Sequence, residues 1–242
     1  MKTVGFIPSA GIASRLFPQT KSMNKLMMPL AGRPVVDYLI QEFVDSVIEE
    51  VYITGRNLDQ IKGYFFKDQK LYDFSKEYGH TGSLDRLNKS LKNIKIHYIT
   101  QNTPKGWLAE LKKVSQLSHT ANIAMSFSDI VYVADKPVIS QLIDKNEKVG
   151  KTVSCNGRYL FDSNARVNIS KLGSIKSEKD ARNENSFLAK LRKESNLEHF
   201  QADGVSYDVG DWISWIKSNT SFALQSSEFG DDYLQFLNDR LA

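Results

Sequence analysis

The first half of the chain alternates short apolar runs with segments whose apolar residues recur at helical spacing. The apolar runs predict β-strands at 3–7, 50–54, 95–100 and 122–125. Helical spacing predicts helices between them, at 34–44, 58–66 and 107–117, and in the charged stretch 67–92 with a break near Gly79 to Gly82. Because strands and helices alternate, we predict an α/β fold with a doubly wound, mostly parallel, Rossmann-like sheet.

The second half of the chain is less regular and carries two predicted hairpins. Strands at 158–161 and 166–169 flank the turn-like tetrad 162–165, and strands at 199–202 and 205–207 flank Asp203-Gly204. The other predicted elements are a β-rich segment at 151–155, a polar loop at 176–185, and helices at 137–143, 187–193, 211–218 and 231–241. We find no linker or repeat, and predict a single domain over 1–242 with an appended hairpin region at about 151–180.

The composition excludes several classes of protein. Hydrophobic residues make up 41% of the 242 positions, enough for a core, and the net charge of +4 comes from basic residues spread along the chain. We therefore expect no nucleic-acid partner. No apolar run is long enough for a membrane span, and the N-terminus enters a predicted strand directly, so we expect neither a membrane segment nor a signal peptide. One cysteine, Cys155, and four scattered histidines exclude an internal disulfide and a Cys/His metal cluster, which favours a reducing cytoplasm.

A loop of small residues follows the first predicted strand and is typical of phosphate binding. It reads Pro8-Ser-Ala-Gly11-Ile-Ala-Ser-Arg15, and Lys25 follows further along the chain. Small side chains let backbone N–H groups approach phosphate oxygens, and the arginine and lysine supply the cations that a triphosphate requires. These residues predict an enzyme that handles a nucleoside triphosphate.

Further polar residues lie where other predicted strands end. Gln101 and Gly106 follow the strand at 95–100, Asp129 follows the strand at 122–125, and Asp208 follows the strand at 205–207. In a doubly wound sheet, ligands bind outside the carboxyl ends of the strands, so we expect these residues to converge on the phosphate loop. Taken singly, an aspartate in such a position is more often a helix cap or turn residue. Taken together, two carboxylates beside a triphosphate predict a Mg²⁺ site, since magnesium prefers oxygen ligands.

The same residues resemble a known family along most of the chain. Its members carry a G-x-G-[ST]-R-[LM] loop followed by P-K-x-x-x-P-[LV], and this chain has Gly11-Ile-Ala-Ser-Arg15-Leu, then Asn24-Lys25-Leu-Met-Met-Pro29-Leu. The similarity continues at Gln101 to Gly106, at Asp129 and at Tyr207-Asp208-Val-Gly210. The chain resembles the sugar-1-phosphate nucleotidylyltransferases, especially the bacterial UTP–glucose-1-phosphate uridylyltransferases and their shorter relatives.

The resemblance implies a reaction and a set of residue roles. A sugar 1-phosphate attacks the α-phosphorus of a nucleoside triphosphate, UTP or dTTP, and pyrophosphate leaves. Arg15 is implied to neutralise the β- and γ-phosphates, and Lys25 to lie near the α-phosphate and the sugar phosphate. Asp129 and Asp208 are implied to hold Mg²⁺. The nucleotide is implied to contact Ala10, Gly11 and Ser14, with Gln101 and the backbone at Gly106 at the pyrimidine edge.

The chain departs from the family pattern at several positions. Ala13 replaces a glycine, and Asn24 replaces the proline before the lysine. The family's Glu-Lys-Pro motif, whose lysine binds the sugar phosphate, is matched only by Glu178-Lys179-Asp180. Lys179 is therefore either the sugar-phosphate ligand or part of a charged loop. This half of the chain is also shorter than in the uridylyltransferases, which favours a small or unusual acceptor.

Three functions remain open from the sequence. The leading prediction is an active nucleotidylyltransferase that makes a nucleotide sugar. The second is a non-catalytic homologue that binds a nucleotide or nucleotide sugar, suggested by the departures at Ala13 and Asn24. The third is a glycosyltransferase that uses a nucleotide sugar, although the Asp-x-Asp metal motif of such enzymes is absent around Asp129. The acceptor sugar and the choice among UTP, dTTP and CTP stay open, and a homo-oligomer is possible.

Overall fold

A computed structural model describes residues 2–101, 106–118, 122–170, 183–194 and 196–241. The described strands are β1 (Thr3–Ser9), β2 (Pro29–Leu30), β3 (Arg33–Pro34), β4 (Glu50–Gly55), β5 (Lys95–Thr100), β6 (Asn122–Ser126), β7 (Ile130–Val133), β8 (Thr152–Cys155), β9 (Arg158–Phe161), β10 (Leu197–His199) and β11 (Val205–Asp208). The described helices are α1 (Val35–Asp45), α2 (Asp59–Phe65), α3 (Gln69–Glu77), α4 (Gly82–Ser90), α5 (Trp107–Leu117), α6 (Val138–Val149), α7 (Ser163–Ser170), α8 (Asn183–Lys193), α9 (Trp212–Leu224) and α10 (Gly230–Leu241).

Seven of the described strands form a central, mostly parallel sheet in the order β10-β8-β9-β6-β1-β4-β5. β1 pairs in parallel with β4 and with β6, and β4 pairs in parallel with β5. β9 is antiparallel to both β6 and β8. The carboxyl ends of β1, β4, β5 and β6 therefore meet at one edge of the sheet, which is where a ligand is expected to bind.

Helices cover both faces of this sheet, as a doubly wound fold requires. Alternation along β1 sends Val4 and Phe6 to one face, where buried residues of α5, α7 and α8 pack, and Ile7 to the other, where α1, α2 and α6 pack. The strands β1, β4 and β6 are buried along nearly their whole length, which explains why they read as continuous apolar runs rather than as alternating ones. The predicted fold class is confirmed. None of the helices in the described part of the chain is long and apolar enough to cross a lipid bilayer.

The predicted hairpin around residues 162–165 is wrong. Residues 163–170 form helix α7, because the Asp162 carboxylate accepts a hydrogen bond from the Ala165 N–H at 3.0 Å and so caps the helix. The strand before it, β9, instead forms a hairpin with β8 around Asn156-Gly157, where Gly157 has a φ of +72°. This hairpin belongs to the central sheet, since β9 pairs with β6, and is not an appendage.

The predicted hairpin around Asp203-Gly204 is also wrong. β10 pairs in parallel with β8, while β11 pairs antiparallel with β7 in a separate two-stranded sheet. The two strands thus take partners elsewhere in the chain instead of each other. Residues 171–182, which include most of the predicted polar loop, lie outside the described residues.

Candidate active site

The loop after β1 is held in place by hydrogen bonds within the loop, and it presents small residues to solvent. The Ala13 carbonyl accepts hydrogen bonds from the Leu16 N–H and the Thr20 hydroxyl, both at 2.9 Å. Leu16 and Thr20 are buried and anchor the loop, whereas the predicted ligands Gly11, Ser14 and Arg15 are exposed. The predicted ligand Ala10 is buried.

Ala13 adopts the left-handed conformation, with φ 49° and ψ 47°. This conformation costs an alanine roughly 1–2 kcal/mol, and glycine avoids that strain but adds about 0.4–1 kcal/mol of chain entropy to the unfolded state. We expect Ala13→Gly to raise the free energy of unfolding by about 0.5 kcal/mol, measured by urea denaturation. The control Ala109→Gly, within α5, is expected to lower it by about 1 kcal/mol. Destabilisation by Ala13→Gly would contradict the left-handed assignment.

Lys25 lies beside Asp129 although the two are far apart in sequence. The Lys25 Nζ is 4.0 Å from the Asp129 Oδ2, and the side chains are 17% and 34% exposed. Burial lowers the pKa of Lys25 below that of a free lysine; the charges of Asp129 and Glu110 oppose this shift, and nearby Arg15 adds to it. A buried ammonium next to a carboxylate and a second cation is suited to binding an anion.

The two predicted metal ligands converge. β11 pairs with β7 so that Asp208 lies opposite Ile130, and the Val209 N–H donates to the Asp129 carbonyl at 2.8 Å. A Cβ placed on Gly210 would lie 3.1 Å from the Asp208 Oδ1 and 3.6 Å from the Asp129 Oδ2. Glycine at this position therefore leaves space between the two carboxylates.

The chemistry of this pair fits magnesium. Within the described ranges, no group of three or more histidine, cysteine, aspartate or glutamate side chains is placed to hold a metal. Mg²⁺ usually takes one or two carboxylates and completes its octahedron with phosphate oxygens and water. The pair Asp129 and Asp208 thus matches the number and type of protein ligands expected for a magnesium ion that arrives with a triphosphate.

The charge of Arg15 acts both on the Lys25 turn and on the start of α9. Besides acting on Lys25, its charge contributes to the lowered pKa of Asp211, whose main cause is the hydrogen bond from the Ser214 N–H. Asp211 caps α9 through that bond of 2.9 Å. The next residue, Trp212, donates its indole N–H to the Phe17 carbonyl at 3.0 Å and so holds the loop against α9.

Gln101 follows β5 at the same edge of the sheet. Its backbone N–H donates to the Gly55 carbonyl at 2.8 Å, and its side-chain Oε1 is buried with no donor among the described groups. Gly106 directly precedes α5 with a φ of 75°. Residues 102–105 lie outside the described part of the chain, as does Lys179, so the sugar-phosphate role of Lys179 stays a prediction.

Two charged residues at the site were missed by the sequence analysis. Glu110 is 4% exposed on α5, and its charge acts on Lys25. The sequence signal that could have identified Glu110 is its position among the apolar residues of this predicted helix. Arg56 directly follows β4 and lines a pocket with Gly11 and Lys25. Its position at the carboxyl end of a predicted strand was the only signal for Arg56.

Comparison with known proteins gives relatives over nearly the whole chain. A UTP–glucose-1-phosphate uridylyltransferase 2 from Staphylococcus saprophyticus is 24% identical, over 96% of this chain and 95% of its own. A UTP–glucose-1-phosphate uridylyltransferase from Bacillus subtilis is 25% identical, over 97% of this chain and 96% of its own. A UTP-bound UGPase from Acinetobacter baumannii superposes with a TM-score of 0.84 at 16% identity, covering 98% of this chain and 99% of that one. This structural likeness shows the shared fold.

A family model matches the part of the chain that contains the loop after β1 and Asp129. It matches residues 4–156, which is more than half of the chain, and these residues contain Arg15, Lys25 and Asp129. The chain therefore belongs to the nucleotidyl transferase family.

Proposed function

We propose that this protein transfers the uridylyl group of UTP to a sugar 1-phosphate, giving a UDP-sugar and pyrophosphate. The observation that carries the proposal is the convergence of Lys25, Asp129 and Asp208 beside a loop of small residues. Two further findings support it: the family is that of nucleotidyl transferases, and relatives matching nearly the whole chain are named UTP–glucose-1-phosphate uridylyltransferases.

The reaction requires little covalent chemistry from the protein. An oxygen of the sugar phosphate forms a bond to the α-phosphorus, the bond from that phosphorus to the β-bridging oxygen breaks, and pyrophosphate carries away the electron pair. Catalysis then depends on positioning the two anions in line and on neutralising the negative charge that develops. In this proposal Lys25, which lies 4.0 Å from Asp129, contacts the phosphate at the metal. Arg15, whose charge acts on Lys25, neutralises the phosphates that leave.

Asp129 and Asp208 would hold the Mg²⁺ ion. When bound, the ion supplies Lewis-acid polarisation of the phosphoryl oxygens. The Asp129 carboxylate also places negative charge next to Lys25, which opposes the lowering of the Lys25 pKa by burial.

The Gln101 side chain is suited to a pyrimidine base. An amide offers one acceptor and two donors, which complement the N–H and carbonyl groups on the edge of uracil or thymine. The Oε1 of Gln101 is buried and lacks a described donor, as expected of an acceptor that a ligand satisfies. The names of the relatives favour uracil.

The proposal is tested by measuring pyrophosphate release. The purified protein is incubated with Mg²⁺, UTP or dTTP, and a panel of sugar 1-phosphates, and the nucleotide sugar is identified by mass spectrometry. We expect turnover with UTP and at least one sugar 1-phosphate. Binding of UTP without turnover for any acceptor, in a folded sample, would instead support the non-catalytic homologue.

A further inference from the structure

Arg56 shares a pocket with the phosphate loop but belongs to a different strand connection. The pocket is lined by residues of the loop after β1, including Gly11, Ala13 and Lys25, and on its other side by Arg56 and Asn57. Asp129 and Asp208 are absent from this lining. The pocket therefore adjoins Lys25 but not the two carboxylates, so it offers space for phosphates other than the one at the metal.

The backbone around Arg56 brings it close to the end of β1. Gly55 has a φ of +154°, and a Cβ there would lie 2.6 Å from the Ser9 carbonyl oxygen. Only glycine allows the end of β4 to pack so closely against the end of β1. Asn57 has a φ of 51°, a left-handed conformation that turns the chain back toward α2. Arg56 is thus held at the rim of the phosphate loop by local geometry.

Asn24 ties the Arg56 backbone to the turn that carries Lys25. Its amide nitrogen donates to the Arg56 carbonyl at 2.7 Å, and its Oδ1 accepts from the Leu26 N–H and the Ser9 hydroxyl, each at 2.9 Å. The side chain is buried, with 6% exposure for the residue. Asparagine at the position of the family's proline therefore connects β1, the Lys25 turn and the residue after β4.

The guanidinium of Arg56 has capacity to bind an anion. Its Nε is buried, and no described group accepts a hydrogen bond from it. A buried cationic donor without an acceptor is unfavourable, and a phosphate oxygen satisfies it with a charge-assisted hydrogen bond. The other charged residue that lines the pocket is also a cation, Lys25, so the charge of the lining favours an anionic ligand.

We propose that Arg56 is a further triphosphate-binding residue, which contacts the phosphates that leave as pyrophosphate. The inference rests on the proposed function, because it assumes that the loop after β1 binds a nucleoside triphosphate. It adds a cation from the β4 connection to the two cations, Arg15 and Lys25, supplied by the loop.

The test compares the affinities of the wild type and Arg56→Gln for UTP and for UMP by calorimetry, in the presence of Mg²⁺. We expect Arg56→Gln to weaken UTP binding about 10- to 100-fold and to leave UMP binding unchanged, since UMP lacks the β- and γ-phosphates. Arg56→Lys is expected to restore part of the UTP affinity. The matched control is Arg240→Gln on α10, an exposed arginine outside the pocket, and it should bind both nucleotides like the wild type.

The outcomes separate this inference from the proposed function. Wild-type affinity for UTP in Arg56→Gln overturns the role of Arg56 and leaves the proposed function intact. Equal weakening of UTP and UMP overturns it as well, because a general structural effect would explain that result. Failure of the wild type to bind UTP and to release pyrophosphate would instead reject the proposed function itself. Thermal unfolding of each variant checks that the fold is retained.

Discussion

Exchange of Asp129 for asparagine is expected to lower the turnover number about 10³-fold while the protein stays folded. The asparagine keeps the size of the side chain and the backbone carbonyl that accepts from the Val209 N–H. It removes one of two carboxylates available to Mg²⁺ and the partner of Lys25 at 4.0 Å. A metal contributes several kcal/mol of charge stabilisation in the transition state, and about 1.4 kcal/mol corresponds to a factor of ten in rate.

The measurement is pyrophosphate release at saturating substrates over a range of Mg²⁺ concentrations. We expect Asp129→Asn to need more Mg²⁺ for half-maximal rate as well as to be slower. Asp135→Asn is the matched control, since Asp135 is an exposed aspartate that follows β7, whereas Asp129 precedes it. Wild-type turnover in Asp129→Asn would exclude a metal held by this carboxylate.

Replacement of Lys25 by methionine is the second change with a large expected effect. We expect kcat/KM for UTP to fall by about 10²–10³-fold, because a preorganised charge at the reacting phosphate is lost. Methionine preserves an unbranched side chain of similar length in a largely buried position. Lys21→Met, an exposed lysine in the same loop, is the control and should retain wild-type kinetics.

The lowered pKa of Lys25 adds a pH dependence to this prediction. The ammonium loses its proton at a lower pH than a free lysine, so kcat/KM of the wild type should decline as the pH rises through that lowered pKa. Below the pKa the charge is present and the rate is independent of this group. In Lys25→Met the alkaline decline should be absent. A decline of equal size in both proteins would assign it to another group.

The structure accommodates the departures from the family pattern at Ala13 and Asn24. They therefore no longer argue for a non-catalytic homologue. Ala13 occupies the left-handed conformation that the family's glycine would adopt without strain, so the path of the loop is kept. Asn24 replaces a rigid residue by a buried side chain with three hydrogen bonds to the surrounding backbone and Ser9. Ala13 is thus accommodated by its backbone conformation, and Asn24 by hydrogen bonds to residues outside its motif.

The sequence by itself determined the elements whose pattern is local. The central-sheet strands and the α-helices of the first half were predicted to within a few residues, whereas the short strands β2 and β3 were missed. Buried parallel strands appear as apolar runs, and the helices between them keep helical spacing. The motif around Gly11, Arg15 and Lys25 was likewise sufficient for the resemblance to nucleotidylyltransferases, which the family assignment confirms. These signals lie within short stretches of chain, so they can be recognised without knowledge of the fold.

Only the tertiary structure decided which distant segments meet. Both predicted hairpins were wrong, because Asp162 caps a helix instead of turning a strand, and because β10 and β11 take partners far away in sequence. The same kind of long-range pairing brings Asp208 to Asp129 across the β7–β11 ladder and places Arg56 beside the phosphate loop. Strand partners and buried charges depend on contacts between remote residues, which no local pattern of hydrophobic and polar positions can encode.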